Sequence, residues 1–367
     1  MAGWVLGWLT AGSAFAGAWR RSLECRAVPP RRHAARKPTA KIRAKGEPFL
    51  EPRARSVFRS RLLAWYDKHR RDLPWRKDHD PYRVWLSEIM LQQTRVAAVL
   101  EKYARFLQLF PKIEHLAAAP QSSVLAAWSG LGYYRRARAL HDAARVIVGE
   151  REGKFPVTAE KWMELPGIGR YTSAAIASIA FGEKAAVVDG NVERVAQRLL
   201  GRQLGSAELW EFAGELLSPQ RPGDFNQAMM ELGATVCVPG EPKCLVCPVA
   251  NACATRGNLP GTEKVQKTTK ATVFYALDCQ DGKVRLLQRD KSATLMPLMW
   301  ELPEFASNGC APKVWLRLKH SITTTNYDVR VVRDGGGKTG KRIAVERLRE
   351  IPLTGLARKI LRAAEIL

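Results

Sequence analysis

Long apolar runs are missing from this sequence. Outside an ambiguous N-terminus, no stretch reaches the roughly 18–20 residues a membrane-spanning helix needs, which excludes a polytopic membrane protein. Acidic residues are scarce: 35 Asp and Glu stand against 59 Lys and Arg, a formal net charge of +24. So few acids favour a polyanionic partner, nucleic acid first and an anionic membrane surface second. Alternation of the strand type is almost absent before Asn258, so the first two-thirds of the chain read as all-α. No internal repeat occurs. The seven cysteines are odd in number and four of them cluster, which argues against a disulfide framework and for a metal site in a reducing compartment.

What is present fits two domains and a tail. The chain has 367 residues, 46% of them hydrophobic, enough to bury real cores. The positive charge is uneven: Arg20 to Arg55 holds twelve Lys/Arg against three Glu, and about +15 remains on the rest. Met1 to Trp19 is moderately apolar and lacks acids, but its basic residues follow the apolar run, the reverse of a signal peptide. Pro29 to Arg55 is rich in Pro, Arg and Ala. Residues 1–55 are therefore read as a disordered basic extension without a role in the chemistry. Helical spacing begins at Val57, breaks at Leu73-Pro74-Trp75-Arg76, and resumes at Asp80-Pro81-Tyr82. Further helices are predicted around Val96–Phe110, Ile113–Ala118, Ser122–Ala127 and Ala137–Val148. This all-α core spans 56–257. Residues 258–270 are polar and linker-like. Beyond them Ala271–Leu277, Val284–Gln288, Val314–Leu318 and Ile322–Val332 read as strands, and Thr354 caps a last helix, giving an α+β domain over 271–367.

One stretch organises the core. Leu165-Pro166-Gly167-Ile168-Gly169-Arg170-Tyr171 reads as a tight turn between two helices, and its amides would sit bare at the start of the second, where a phosphate can dock. About twenty residues later come Asp189-Gly190-Asn191-Val192-Glu193-Arg194. Glu88 lies among apolar neighbours, an environment that disfavours its charged form and lets it donate a proton. With Asp189 it makes the acid-plus-carboxylate pair that glycosidic cleavage through an oxocarbenium-like state requires. Asp189 also reads as the N-cap of the next helix. The cysteines Cys237, Cys244, Cys247 and Cys253 are spaced C-x6-C-x2-C-x5-C, which suits zinc or a cubane iron–sulfur cluster. Tyr133-Tyr134-Arg135-Arg136 interleaves aromatic and basic residues and could wedge into a base stack while clamping phosphates.

Together these residues resemble the helix-hairpin-helix DNA glycosylase superfamily and, within it, MutY-type adenine DNA glycosylases. The likeness rests on Leu73–Arg76, Val84–Thr94, Gly130–Tyr134, Leu165–Thr172, Val188–Arg194, Phe225–Gly233 and the four cysteines. It implies base-excision repair on double-stranded DNA, removing flipped-out adenine opposite 8-oxoguanine or guanine. It implies Glu88 as the acid that protonates adenine N7, Asp189 as the stabiliser of the sugar cation, and Asn191 and Tyr171 as their supports. Trp75 and Arg76 would line the adenine pocket, Gln93 and Tyr133 would fill the gap in the duplex, and Gly167 and Gly169 would hold the hairpin against a phosphate. A 4Fe–4S cluster would sit on the four cysteines. Endonuclease III-like relatives carry a nucleophilic lysine where this chain has Tyr171, so a monofunctional enzyme is expected. The C-terminal domain resembles the MutT/Nudix-like domain that reads 8-oxoguanine, through Leu298–Phe305, but has no paired-acid metal box. The reading loop departs from the family, with Ile322-Thr323-Thr324 in place of Phe-Ser-His; Thr323 keeps a hydroxyl for the damaged base. A pyrimidine-damage glycosylase/lyase and a non-catalytic iron–sulfur sensor are the alternatives. A monomer without membrane contact, at the nucleoid of a bacterial cytoplasm, is the simplest setting.

Overall fold

Twelve helices and seven strands build the described part of the chain. In the computed structural model the described residues are 49–259, 268–305, 312–322, 324–333 and 339–367. The helical region runs α1 (Pro52–His69), α2 (Pro81–Leu91), α3 (Val96–Leu109), α4 (Ile113–Ala118), α5 (Gln121–Ala127), α6 (Arg135–Glu150), α7 (Ala159–Met163), α8 (Arg170–Phe181), α9 (Gly190–Leu200), α10 (Ser206–Leu216) and α11 (Pro222–Thr235). Among the described residues no helix is long and apolar enough to cross a membrane. Order begins earlier than Ser56. Pro52 stands at the start of α1, Phe49 packs edge-on against Phe212 at 5.2 Å, and the Phe49 and Leu50 amides donate to the Glu215 carboxylate. A Pro at the first helical position and a long-range anchor account for the shift. Of the proposed extension, residues 1–48 lie outside the described residues.

The helices enclose two apolar cores. One joins α2 to α8 around the fully buried Trp85, Trp128 and Trp162; the other joins α1 to α9, α10 and α11 around Phe58, Phe212 and Phe225. Met230 packs against both. α2 is buried from Val84 through Met90, as its nearly unbroken apolar sequence dictates. Asp80 caps it by accepting from the Arg83 amide at 2.8 Å.

The C-terminal region comprises β1 (Thr269–Leu277), β2 (Cys279–Gln280), β3 (Lys283–Gln288), β4 (Trp300–Glu301), β5 (Val314–Ile322), β6 (Thr325–Arg333), β7 (Lys341–Ala344) and α12 (Gly355–Ala363). One sheet has the order β1-β6-β5, with β1 and β6 parallel and β5 and β6 antiparallel; the other runs β2-β3-β4, with β7 on β3. Ile322 closes β5 instead of opening the next strand, because its partner across the hairpin is Thr325. Thr323 lies outside the described residues. Thr354 caps α12, accepting from the Ala357 amide at 3.2 Å.

This region is docked on the helices. Met299 is fully buried inside the first helical core. The Leu353 carbonyl accepts from Ser129 Oγ and Tyr134 Oη, each at 3.1 Å, and Arg138 donates to the Pro297 carbonyl.

Candidate active site

Glu88, Tyr171 and Asp189 meet at the seam between the two helical cores. α2 delivers Glu88, which is 6% exposed. Tyr171, in the first turn of α8, donates its hydroxyl to Glu88 Oε2 at 2.8 Å and stands 3.5 Å from Met230 Sδ. Burial pushes the Glu88 carboxyl up to about 7; the Tyr171 hydrogen bond and Arg76 pull it down, and Asp189 pushes it up. At neutral pH this group is poised between acid and base. Burial, with Glu88 and Asp189 nearby, raises the Tyr171 phenol well above its ordinary value, so it stays a hydrogen-bond donor.

Asp189 is the N-cap of α9. Its Oδ1 accepts from the Asn191 and Val192 amides at 2.9 and 2.7 Å, and its Oδ2 from Asn191 Nδ2 at 2.9 Å. The cap and the electrostatic partner of Glu88 are thus one residue. Asn191 Oδ1 in turn accepts from Arg194 Nη2 at 2.8 Å, and Arg194 also donates to the Gly233 and Cys237 carbonyls. Gly233 is required here: a Cβ on it would come within 2.6 Å of Asn191 Cβ.

The hairpin has the predicted form. Gly167 takes φ +74°, and a Cβ there would lie 2.3 Å from Ala139 Cβ, so only glycine fits. Gly169 precedes α8 as its N-cap, and no side chain caps that helix, leaving its first amides turned outward.

Other predicted residues separate by burial. Gln93 and Tyr133 are exposed and both hold positive φ, 53° and 45°. Such strain in non-glycine residues clusters at functional sites. Tyr134 is buried at the inter-region contact. Trp75 is 5% exposed, its ring edge-on to Tyr103 at 5.3 Å inside the core. Arg76 donates to Glu231 Oε2 at 2.8 Å, and Arg71 binds the same carboxylate. Burial alone would raise the Glu231 carboxyl; the two guanidinium groups outweigh it and hold it at about 2.

Arg136 corrects the expectation of a phosphate clamp. Its Nη1 donates to the carbonyls of Ile89, Met90 and Gln92 at 2.7, 2.9 and 2.5 Å. Its Nη2 reaches Thr94 Oγ1 and the Leu131 and Gly132 carbonyls. One guanidinium therefore closes the C-terminus of the Glu88 helix and holds both exposed loops. The sequence signalled Arg136 and Glu231 only as members of larger motifs; Thr94, 42 residues from Arg136, and Arg71, 160 residues from Glu231, are partners no local pattern announces.

The four cysteines ring one small cavity beside Arg198, whose Nη1 lies 3.3 Å from Cys237 Sγ. The Arg256 amide points to Cys253 Sγ at 3.4 Å. Burial, with the three neighbouring thiols, raises the Cys247 thiol. Among the described residues no three His, Cys, Asp or Glu converge closely enough for a single ion. Four thiols around one cavity, two of them with a donor aimed at the sulfur, are a donor set that suits a thiolate-held metal group.

Comparison with known proteins gives the family. Residues 86–216 match the family described as HhH-GPD superfamily base excision DNA repair protein. The mouse adenine DNA glycosylase is 51% identical over 215 residues, covering 54% of this chain and 41% of that protein. The human adenine DNA glycosylase is 46% identical over 245 residues, covering 59% and 44%. The chain thus spans less than half the length of these mammalian relatives. A thermostable thymine-DNA glycosylase of known structure is 35% identical with a TM-score of 0.51, covering 56% of this chain and 97% of that one. The chain belongs to the HhH-GPD superfamily of base-excision DNA repair proteins and is a homologue of the MutY-type adenine DNA glycosylases.

Proposed function

We propose that this protein is a monofunctional adenine DNA glycosylase acting on adenine opposite 8-oxoguanine or guanine in duplex DNA. The observation that carries the reading is the Glu88–Tyr171–Asp189 constellation. Glu88 is a buried carboxyl near neutrality, one of whose oxygens is held by a phenol. Protonated, it delivers its proton to adenine N7 and turns the base into a leaving group. Asp189, its oxygens held by amides and by Asn191, is the carboxylate that stabilises the oxocarbenium or captures it. Asn191 positions Asp189, and Tyr171 positions Glu88. Tyr171 has no amine, so it forms no Schiff base and gives no lyase step.

Around this pair, Gln93 and Tyr133 fill the space left by the flipped nucleotide, and Gly167 and Gly169 bring the hairpin amides to a backbone phosphate. Arg76, fixed by Glu231, and Trp75 shape the base pocket. Thr323, in a MutT/Nudix-like C-terminal domain, reads the opposing base. Cys237, Cys244, Cys247 and Cys253 hold a 4Fe–4S cluster, whose contribution is to fold the 237–253 loop against α9. The protein acts as a monomer on chromosomal DNA.

Single-turnover excision decides the reading. Duplexes carrying adenine opposite 8-oxoguanine, adenine opposite guanine, and thymine opposite guanine are compared, with Glu88→Gln alongside. Release of adenine that Glu88→Gln abolishes is the expected result. Release of thymine alone, or activity that survives Glu88→Gln, overturns it. Thr323→Ala is expected to narrow the preference for 8-oxoguanine over guanine; an unchanged ratio removes Thr323 as a reader.

A further inference from the structure

A second polar cavity lies away from the carboxylate pair, where α3 and α5 face α12. Its volume is about 190 Å³. That is below the roughly 300 Å³ at which pockets for drug-sized ligands begin. Five cations line it: Lys102 and Arg105 from α3, Arg349 before α12, and Arg358 and Arg362 on α12. The side-chain carboxylate in the lining is Glu101, which pairs with Lys102 at 3.3 Å; its side chain is 73% exposed, whereas that of Lys102 is 12% exposed, and Leu367 also lines the cavity. Among the described residues Arg105, Arg349, Arg358 and Arg362 have no carboxylate within ion-pair distance.

The arrangement is built and not a loose surface patch. Arg358 is fixed by donating Nε and Nη2 to the buried hydroxyl of Ser129, at 3.1 and 2.7 Å. Ser129 also bonds the Leu353 carbonyl, so the cavity floor is the contact between the helical core and the C-terminal region. Burial, and the positive charges of Arg362 and Arg105, depress the Arg358 guanidinium below its ordinary value. Like charges brought together around a cavity repel one another unless an anion balances them. Guanidinium groups from different elements converging on a small space match the oxygens of a phosphoryl group.

We propose that this cavity binds a phosphoryl oxyanion that bridges the helical core and the C-terminal region. Two sources supply that chemistry: a free phosphate or pyrophosphate, or a backbone phosphate of bound duplex. Ser129 directly precedes the Gly130–Tyr133 loop, so an occupant fastens α12 beside that loop.

The test uses the full chain and the double variant Arg105→Gln/Arg362→Gln, whose altered residues are both exposed and leave the Arg358–Ser129 contact intact. Arg347→Gln, outside the cavity, is the control. In the first arm, inorganic pyrophosphate is titrated at constant ionic strength, by calorimetry and by melting temperature. In the second, the salt dependence of binding to an undamaged duplex is measured. Pyrophosphate binding that weakens at least tenfold in the double variant, and not in Arg347→Gln, identifies a free anion. No pyrophosphate binding, with a salt slope shallower by about two in the double variant, identifies a backbone phosphate. Pyrophosphate affinity and salt slope both unchanged by the double substitution overturn the proposal. Neither arm involves base release, so its failure is distinct from failure of the glycosylase reading.

Discussion

The Tyr171 hydroxyl donates to Glu88 Oε2 at 2.8 Å, so the residue that closes the hairpin also holds the proposed acid. A hydrogen bond to a carboxylate favours its ionised form, and removing this one raises the Glu88 pKa further. Tyr171→Phe is expected to slow base release by about tenfold, the worth of one such bond. The alkaline limb of its pH–rate profile should move to higher pH. A limb displaced to lower pH contradicts this assignment.

Glu88 also predicts a pH dependence. Burial raises its carboxyl from 4.5 to about 7. Release should hold up to neutrality and then fall about tenfold per pH unit. The folded protein binds this proton more tightly than the unfolded chain. The associated stability is therefore fully present below about pH 4.5 and lost as pH rises through 7, by roughly 3 kcal/mol. Denaturant unfolding at about pH 5 and about pH 8 should show this difference in the native protein and its absence in Glu88→Gln.

Gly233→Ala should act on Asp189 without touching DNA. The added methyl would meet Asn191 Cβ at 2.6 Å, and Asn191 holds Asp189 Oδ2. Base release is expected to drop by at least tenfold while duplex affinity stays within about twofold. Equal losses in both would mean that the fold, not the site, had been damaged.

Arg136→Lys tests the clamp between the exposed loops. Lysine keeps the charge but loses the fork that serves the Ile89, Met90, Gln92, Leu131 and Gly132 carbonyls. Leaving such acceptors unpaired costs roughly 2–4 kcal/mol, visible as a lower melting temperature. Because Gln93 and Tyr133 lose their support, affinity for a mispaired duplex should fall more than affinity for an undamaged one.

Cys244→Ser addresses the cluster. Iron content per chain, and the visible absorbance of iron bound to thiolates, should fall together, and the loop around Lys243 should become sensitive to protease. Full iron occupancy in the variant would remove Cys244 from the ligand set.

Much of this was legible in the sequence, because it is local. The all-α character before Asn258 follows from apolar spacing. The hairpin follows from Pro166, Gly167 and Gly169. Asp189 read correctly as a helix cap because capping needs only the residues that follow it. The C-terminal strands followed from alternation, and the error at Ile322 came from ending the preceding strand at Leu318, whereas it runs on to Ile322. Burial of single aromatics was less legible: adjacent residues Tyr133 and Tyr134 look alike, yet one is 51% exposed and the other 3%.

The sequence by itself determined which groups are present: a carboxyl in an apolar run, a helix-capping aspartate beside a phosphate-type turn, four cysteines in a cluster spacing, and an excess of positive charge. Only the tertiary structure decided what those groups experience. Glu88 reaches neutrality because packing removes its water, and this outweighs the downward pull of the Tyr171 hydroxyl brought from 83 residues away. Arg136 faces inward because six acceptors surround it, and Met299, just before β4, fills the helical core. Five cations converge on one cavity because α12, anchored through Arg358 on Ser129, faces α3 across it. Desolvation and long-range pairing depend on which segments pack together, and that is settled by the whole fold, not by any window of the chain.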